Sequence, residues 1–296
     1  MLDLTRLRVL VAVARAGSVT AAARELGYAQ PSVSHHLARL EAETGARLVR
    51  RAGRGIRLTD AGRLLAERAE EILGRLGAAE RELAEVSGLR AGRVRLAAFP
   101  SALGTFVPAA ATAFAAAHPG VRLEFVEAEP PEAVRQLRAG DVDVAVAFDY
   151  AGTTAGTTAG PDGVRRFPLL TEPMYLVTGD TAGKRGGLSA YAEGLWIGGC
   201  ERCRTHLLAS CAEAGFTPEI AYTTDDYVAV QALVAAGLGV TVLPELALTA
   251  HRHPGVRATR LPGPGRAVFA AVYGEPPDPP ATAALLRQLT AVERSR

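Results

Sequence analysis

The chain has 296 residues, 48% of them hydrophobic and 22% charged, which is long enough for two or three domains with a sizeable core. No apolar run approaches the roughly 18 residues that a membrane-spanning helix requires. The first residues also lack the basic-then-apolar order of a signal peptide. We therefore expect a cytoplasmic protein that does not contact the membrane.

Positive charge is concentrated near the N-terminus. Residues 1–58 contain ten Arg but only four Asp or Glu, whereas the net charge of the whole chain is only +2, so the remainder is net acidic. The basic end is the candidate partner for a polyanion.

Three helical patterns fill the first 44 residues. Apolar residues recur at helical spacing over 4–14, and Ser18 is placed to cap a second helix over 19–26. Pro31 starts a third helix that ends near Gly45. The second and third helices are separated by only a short, glycine-containing turn.

A basic hairpin is predicted after these helices. Two extended segments, 47–51 and 56–58, flank a turn rich in Gly and Arg, a pattern typical of a β-wing. The helix pair and the wing together predict an all-α winged helix-turn-helix over residues 1–58, in which the helix that begins at Pro31 enters the major groove of double-stranded DNA. The side chains expected at the DNA are Ser18, Gln30, Pro31, Ser32, Ser34, His35, His36, Arg39, Arg50, Arg51 and Arg54. A small protein-interaction module with solvated Arg side chains is the alternative, but it does not explain the complete order of elements.

A long linker helix is predicted over residues 59–90, capped by Thr59 or Asp60. Its apolar seam alternates steps of four and three residues, which favours pairing with a second copy of the chain: Leu65, Ala69, Ile72, Leu76, Ala79, Leu83 and Val86. A helix packed along one side of a globular domain would show the same stripe.

Residues 91–296 predict a two-lobed α/β domain. The first lobe, about 91–164 and 265–296, combines strands over 94–99, 121–126, 142–148 and 268–272 with helices over 101–117, 132–138 and 280–292. The second lobe, about 165–264, combines strands over 174–178, 195–197, 220–223 and 240–243 with helices over 203–214 and 226–236. We expect mostly parallel sheets and a cleft between the lobes. The low-complexity stretch 151–160 predicts a loop.

Several runs carry a specific family resemblance. They are Gly17-Ser18-Val19-Thr20-Ala21-Ala22-Ala23-Arg24-Glu25-Leu26, Gln30-Pro31-Ser32-Val33-Ser34, Leu40-Glu41, Gly45-Ala46-Arg47-Leu48, Arg54-Gly55-Ile56-Arg57-Leu58-Thr59-Asp60-Ala61-Gly62, and two later segments, 137–143 and 233–244. This sequence resembles the LysR family of bacterial transcription regulators. The resemblance implies a periplasmic-binding-protein-like effector domain, a small-molecule effector and a homotetramer built as a dimer of dimers through the linker helix. It also implies an interrupted inverted repeat near a promoter as the DNA site, with RNA polymerase as a further partner. His35-His36 departs from the basic group that many members carry there, so the preferred bases can differ.

The effector residues follow from this resemblance. The positions that match the family's cleft are Ser101, Glu127, Ala128, Phe148, Asp149, Gly199, Cys200, Thr224 and Asp225. Helix N-termini converging on a cleft favour an anion, but Glu127 and Asp149 oppose one, so the charge of the effector is open. Ser101, Thr224 and Asp225 are also ordinary helix caps, and Phe148 is equally suited to the core.

The three cysteines, Cys200, Cys203 and Cys211, lie within twelve residues of each other. An odd number in a chain without a signal peptide argues against a disulfide framework. A CxxC followed by His206 could bind zinc, and Cys203 with Cys211 could form a thiol-based redox switch, because Arg202 and Arg204 would lower a thiol pKa. Packing beside the cleft is the simpler interpretation.

An enzyme is not expected, and neither is a cofactor. The sequence has no Walker-type lysine, no Gly-x-Ser-x-Gly elbow and no HExxH, and its six His are scattered. A constitutive architectural DNA-binding protein, which needs no effector, is a third class. It would leave the two-lobed domain, of more than two hundred residues, without a function.

Overall fold

The computed structural model describes residues 2–52, 55–86, 92–150, 163–180 and 186–291. The predicted loop 151–160 and Arg54 lie outside these residues. The chain divides into two compact units, one formed by 1–89 with 136–141 and the other by 90–135 with 142–296.

The first unit contains the predicted helix-turn-helix and wing. Its elements are α1 (Leu4–Ala16), α2 (Val19–Leu26), α3 (Gln30–Thr44), β1 (Val49–Ala52), β2 (Gly55–Leu58) and α4 (Asp60–Val86). Ser18 accepts a hydrogen bond from the amide of Ala21 and so caps α2. β1 and β2 pair antiparallel, with Arg50 opposite Arg57. The core consists of apolar side chains from α1, α2, α3 and the wing, including the fully buried Leu10 and Leu40.

The start of α4 fits tightly against the wing. Thr59, rather than Asp60, supplies the side-chain cap, because its hydroxyl accepts from the amide of Gly62 at 3.0 Å. A Cβ at Gly62 would lie 2.0 Å from the carbonyl oxygen of Leu48. Only glycine therefore fits this position without moving the backbone.

The apolar seam of α4 has two parts. Ala69 is fully buried and Leu65 packs beside it in the core of the same unit, as the globular alternative predicts. Ile72 and Leu83, further along, are 41% and 70% exposed. Among the described side chains of the seam, the large exposed apolar ones therefore lie in its later part.

The first lobe of the second unit is built on a five-stranded sheet of order β4-β3-β5-β12-β6. Its elements are β3 (Arg93–Ala98), α5 (Pro100–Leu103), α6 (Val107–Ala117), β4 (Arg122–Glu127), α7 (Pro130–Arg138), β5 (Val144–Tyr150), β6 (Val164–Glu172), β12 (Arg266–Tyr273) and α11 (Pro280–Ala291). The helix predicted over 101–117 is two helices.

The expectation of a mostly parallel sheet is wrong for one side of this lobe. β3 pairs parallel with β4 and β5, but β12 pairs antiparallel with both β5 and β6. Because β6 belongs to this sheet, the first lobe extends through Glu172 and not to about 164. The sequence analysis missed β6, in which Arg165-Arg166 and Pro168 interrupt the apolar pattern.

The second lobe carries smaller sheets. Its elements are β7 (Met174–Gly179), a short 3₁₀ helix (Leu188–Tyr191), β8 (Leu195–Gly198), α8 (Glu201–Glu213), β9 (Glu219–Thr223), α9 (Tyr227–Ala235), β10 (Thr241–Pro244), α10 (Glu245–Ala250) and β11 (Val256–Arg260). β7 lies between β10 and β11 and is antiparallel to both, so the expectation of a mostly parallel sheet is wrong for this sheet as well; β8 and β9 are parallel. α10 and β11 were not predicted. Trp196 is fully buried in this lobe.

Across the residues that the structure describes, every helix is too short or too polar to span a membrane.

Candidate functional site

One face of α3 is polar and exposed. Gln30 and Ser34 lie one helical turn apart, and their side chains hydrogen-bond at 3.1 Å. Pro31, Ser32, His35 and Arg39 are also exposed, and His36 is half-buried beside Tyr28. The opposite face of α3 is buried through Val33, Leu37 and Leu40. The predicted DNA-contacting residues of this helix therefore share a surface that can meet base edges and phosphates.

The wing adds positive charge to the same unit. Arg50 and Arg51 are exposed on β1, and Arg57 is exposed on β2. Ser18 is half-buried, and its side chain caps α2.

Glu41 joins α3 to the wing, a role that was not predicted from the sequence. Its carboxylate accepts hydrogen bonds from the amides of Leu48 at 2.8 Å and Val49 at 3.2 Å, and from the Arg47 guanidinium at 3.1 Å. Burial raises the pKa of Glu41, but these bonds outweigh it and leave the pKa below its ordinary value. Glu41 thus ties the start of the wing to α3, in addition to the apolar packing of the wing in the core.

A cavity opens between the two lobes of the second unit. It encloses about 600 Å³ of space, including the solvent at its mouth. Five of the residues proposed for the effector line it: Ser101, Gly199, Cys200, Thr224 and Asp225. Its walls also include apolar and aromatic side chains that were not predicted, among them Phe99, Ile197, Leu207, Tyr227 and Val230.

The other four proposed residues lie outside this lining. Glu127 is exposed, and Ala128 is buried. Phe148 is buried, with its ring edge-on to that of Phe99 at 5.0 Å between centroids, so it supports the cavity wall. The Asp149 carboxylate pairs with the guanidinium groups of Arg166 and Arg202.

A buried charged group forms the floor of the cavity. The Arg266 guanidinium donates to the Glu172 carboxylate at 2.5 Å and to the Ser101 hydroxyl at 3.0 Å. It also lies 4.8 Å from the ring centroid of Phe99 and 4.1 Å from that of Phe148. Arg266 was missed because nothing in strand β12 marks it as facing a cavity.

Glu129 presents an unsatisfied acceptor at the same cavity. Its Oε2 is buried and has no hydrogen-bond partner within the described part of the chain. Burial raises the pKa of this carboxyl, and the nearby charges of Asp225 and Glu127 act in the same direction. Glu129 was not predicted from the sequence: the cavity residues proposed there end at Ala128, one position earlier.

The cysteines do not adopt either predicted arrangement. Cys203 and Cys211 both lie on α8, eight residues and therefore about 12 Å apart along the helix axis, whereas a disulfide requires Cα atoms within about 7 Å. Cys211 is fully buried in the core. His206 stacks on the ring of Tyr150 at 3.9 Å between centroids, and no metal-binding group of three or more side chains occurs among the described residues. The close pair is Cys200 and Cys203, whose sulfur atoms are 3.0 Å apart.

The chain contains a winged helix-turn-helix, in which one face of α3 is polar and exposed, and a two-lobed α/β domain with a cavity. This combination defines a DNA-binding transcription regulator. Two family models match the chain: the LysR substrate binding domain over residues 87–294 and the bacterial regulatory helix-turn-helix protein of the lysR family over residues 4–63. The chain therefore belongs to the LysR family of transcription regulators.

Individual relatives agree with this assignment. The chain is 30% identical to the uncharacterized HTH-type transcriptional regulator YcgK of Bacillus subtilis, over 86% of this chain and 83% of the relative. It is 31% identical to a probable hydrogen peroxide-inducible genes activator of Mycobacterium avium, over 88% of this chain and 85% of the relative. Its fold is similar to that of the LysR family regulator CbnR, with a TM-score of 0.61 at 24% identity over 99% of each chain. CbnR has also been solved with its target DNA; that structure matches with a TM-score of 0.59 at 24% identity, over 98% of this chain and 100% of the other.

Proposed function

We propose that the chain controls promoter activity in response to a small-molecule effector bound in the cavity between the two α/β lobes. The observation that carries this proposal is the composition of the cavity: an apolar wall, a hydroxyl held by a buried Arg266, and the unsatisfied carboxylate oxygen of Glu129. A pocket with few, fixed polar groups is typical of a ligand site.

The effector donates a hydrogen bond to Glu129. Leaving a buried acceptor unpaired costs about 1–3 kcal/mol, and an N–H or O–H of a ligand would recover much of that. The lining also includes Asp225, and among the lining residues Arg266 is the sole cation, with Glu172 already neutralising it. A small molecule that carries an amine or hydroxyl group suits this site better than a simple carboxylate does.

DNA reading is assigned to α3 and the wing. Gln30, Ser32, Ser34, His35 and Arg39 are the candidates for base and phosphate contacts, and Arg50 and Arg51 for flanking phosphates. Residues 1–58 would form the DNA-binding domain, 59–90 the dimerisation helix and 91–296 the effector domain. The DNA site would be an interrupted inverted repeat, because a two-fold symmetric dimer reads two half-sites.

The working form is a homo-oligomer, a dimer of dimers joined through α4. The exposed Ile72 and Leu83 support this, because a second copy would cover them. RNA polymerase is the further partner that regulation of a promoter requires.

Thermal unfolding in the presence of matched ligands tests the effector proposal. Each set contains an amine, an alcohol and a carboxylate on the same carbon skeleton. We expect amines or alcohols to raise the unfolding temperature of the full chain, and Glu129→Gln to abolish that rise more completely than Glu193→Gln, a change at an exposed glutamate outside the lining. Stabilisation by carboxylates alone would contradict the assigned role of Glu129.

The affinity for an amine should also depend on pH. Burial raises the pKa of Glu129 above its ordinary value of 4.5, so its carboxylate is lost at a higher pH than that of an exposed glutamate. Amine affinity should accordingly fall as the pH drops toward this raised pKa, and Glu129→Gln should remove that dependence. The measurement is isothermal titration calorimetry at several pH values.

A further inference from the structure

We propose that Cys200 and Cys203 form a redox-active dithiol at the cavity wall, which a hydroperoxide converts to an intramolecular disulfide. The chemistry of this step stands independently of the proposed effector; only its regulatory consequence rests on the proposed function.

The two thiols are held together by the start of α8. Their sulfur atoms are 3.0 Å apart, and Cys200 caps the helix by accepting a hydrogen bond from the amide of Cys203 at 3.4 Å. Both residues are half-buried and line the cavity, so a small oxidant that enters the cavity reaches them. A pair separated by two residues at a helix N-terminus can close a disulfide without unwinding the helix.

The surroundings distinguish the two sulfur atoms. The Cys200 thiol donates to the sulfur of Cys203, the Tyr150 hydroxyl donates to the same sulfur at 3.5 Å, and the positive charge of Arg266 is nearby. The hydrogen bond from Cys200 lowers the pKa of Cys203, and Arg266 and Tyr150 act in the same direction, whereas burial opposes them. The same hydrogen bond raises the pKa of Cys200. Cys203 is therefore the nucleophile, because the thiolate is the reactive form, and Cys200 is the resolving thiol.

The oxidation has two steps. The Cys203 thiolate attacks one oxygen of the hydroperoxide and the O–O bond breaks. The leaving alkoxide takes up a proton to become an alcohol, or water if the oxidant is hydrogen peroxide, and Cys203 becomes a sulfenic acid. The sulfur of Cys200 then attacks the sulfenic sulfur, an S–S bond forms, and the expelled hydroxide leaves as water with the proton of Cys200. Two thiols lose two electrons, and the hydroperoxide gains them.

Oxidation would change the wall on which the effector rests. The disulfide removes the thiol proton that Cys200 donates to Cys203, and it draws together two sulfur atoms of the cavity wall that are 3.0 Å apart in the reduced protein. We therefore expect reduced and oxidised protein to bind the same effector with different affinity.

Peptide mapping of the full wild-type chain tests the proposal directly. Trypsin cleaves after Arg202 and Arg204, which places Cys200, Cys203 and Cys211 on three separate peptides. After treatment of the reduced protein with one equivalent of cumene hydroperoxide and alkylation, the first two peptides should be recovered as one disulfide-linked species, with Cys211 alkylated. Dithiothreitol should restore three alkylated cysteines.

Variants test the assigned roles. Cys203→Ser should slow hydroperoxide consumption at least about tenfold, because the Cys203 thiolate is lost and the Cys200 thiol is left as the reacting group at this site. Cys200→Ser should still form a sulfenic acid on Cys203, trapped by dimedone, but no disulfide. Cys211→Ala is the matched control and should behave as wild type. Tyr150→Phe tests a positioning role: losing the donor should raise the pKa of Cys203, and the pH profile of the reaction should move upward.

Recovery of three alkylated cysteines after this treatment, or a disulfide that includes Cys211, would overturn the proposal. Its failure is distinguishable from failure of the effector proposal, because the ligand screen is performed on reduced protein and its readout is the unfolding temperature. Disulfide formation is read by mass alone and requires no effector.

Discussion

Arg266 and Glu172 form an ion pair in which the side chains are only 3% and 1% exposed, and this pair underlies the cavity. Glu172 is satisfied on its other oxygen by the amide of Leu246 at 2.7 Å, so the pair also ties β6 and β12 to α10. The Glu172 carboxylate therefore links the first lobe to the start of α10, where Leu246 also packs in the apolar core of that lobe.

Removing one member of this pair should destabilise the second unit strongly. Glu172→Ala leaves the guanidinium of Arg266 buried without its partner, which costs about 3–5 kcal/mol. Urea unfolding followed by the fluorescence of Trp196, the single tryptophan of the chain and a residue of this unit, measures the loss. Asp180→Ala is the control: its exposed pair with Arg257 should contribute at most about 1 kcal/mol. Equal effects of the two changes would contradict the assigned burial.

Glu41→Ala should loosen the wing. The change leaves the amides of Leu48 and Val49 without their acceptor, which should cost about 2 kcal/mol. Hydrogen exchange at those two amides should accelerate, while Glu43→Ala, which removes a more exposed pair with Arg6, should leave them protected. Unchanged exchange in the Glu41 variant would show that the wing is held in another way.

The same carboxylate gives the first unit a pH dependence. The pKa of Glu41 is lower in the folded chain than its ordinary value of 4.5, so its contribution is complete above that value and is lost as the pH falls through the lowered pKa. The acid-induced loss of protection at Leu48 and Val49 should therefore disappear in Glu41→Gln. If the Gln variant loses protection at the same pH as wild type, another group controls the transition.

Two kinds of substitution should separate sequence reading from phosphate binding. Gln30→Ala with Ser34→Ala should change the preferred DNA sequence, because both side chains lie on the exposed face of α3. Arg50→Ala should weaken binding to all sequences and reduce the slope of log affinity against log salt by about 0.9 for one lost phosphate contact. Arg122→Ala, an exposed arginine of the second unit, is the control for total charge. Intact sequence preference in the α3 double variant would place the reading surface elsewhere.

The exposed part of the α4 seam should control assembly. Ile72→Glu with Leu83→Glu introduces charges that a helix pair cannot bury, so sedimentation velocity should show a smaller species. Leu195→Glu is the matched control, because Leu195 is 40% exposed and Ile72 is 41% exposed. Unchanged sedimentation of the α4 variant would exclude this helix as the contact between copies.

The N-terminal unit was predictable because its boundaries are local. Ser18 caps α2, and Gly17, Gly27 and Gly45 end the first three helices with φ of 59°, 68° and 65°. Each of these residues determines the backbone within a turn of its own position. The helix limits from the sequence therefore agree closely with the structure.

The cavity was less predictable because its polar groups are brought together by distant parts of the chain. Glu172 and Arg266 are 94 residues apart, and strand β6, which carries Glu172, was itself missed. Cys203 was recognised as a chemical group but was paired with Cys211, although eight residues of one helix separate them by about 12 Å; the close partner is Cys200, which caps α8. Ser101 and Asp225 were found only because their positions match a family pattern.

Effector control of DNA binding is tested most directly by a footprint of the full chain on its own promoter DNA, with and without a saturating amine or alcohol that stabilises the reduced protein. We predict that this ligand changes the protected region or the bend of the DNA. Glu129→Gln should require at least about tenfold more ligand for the same change, since 1.4 kcal/mol of lost binding is a factor of ten. An identical footprint with and without a ligand that binds the cavity would contradict effector control through this site.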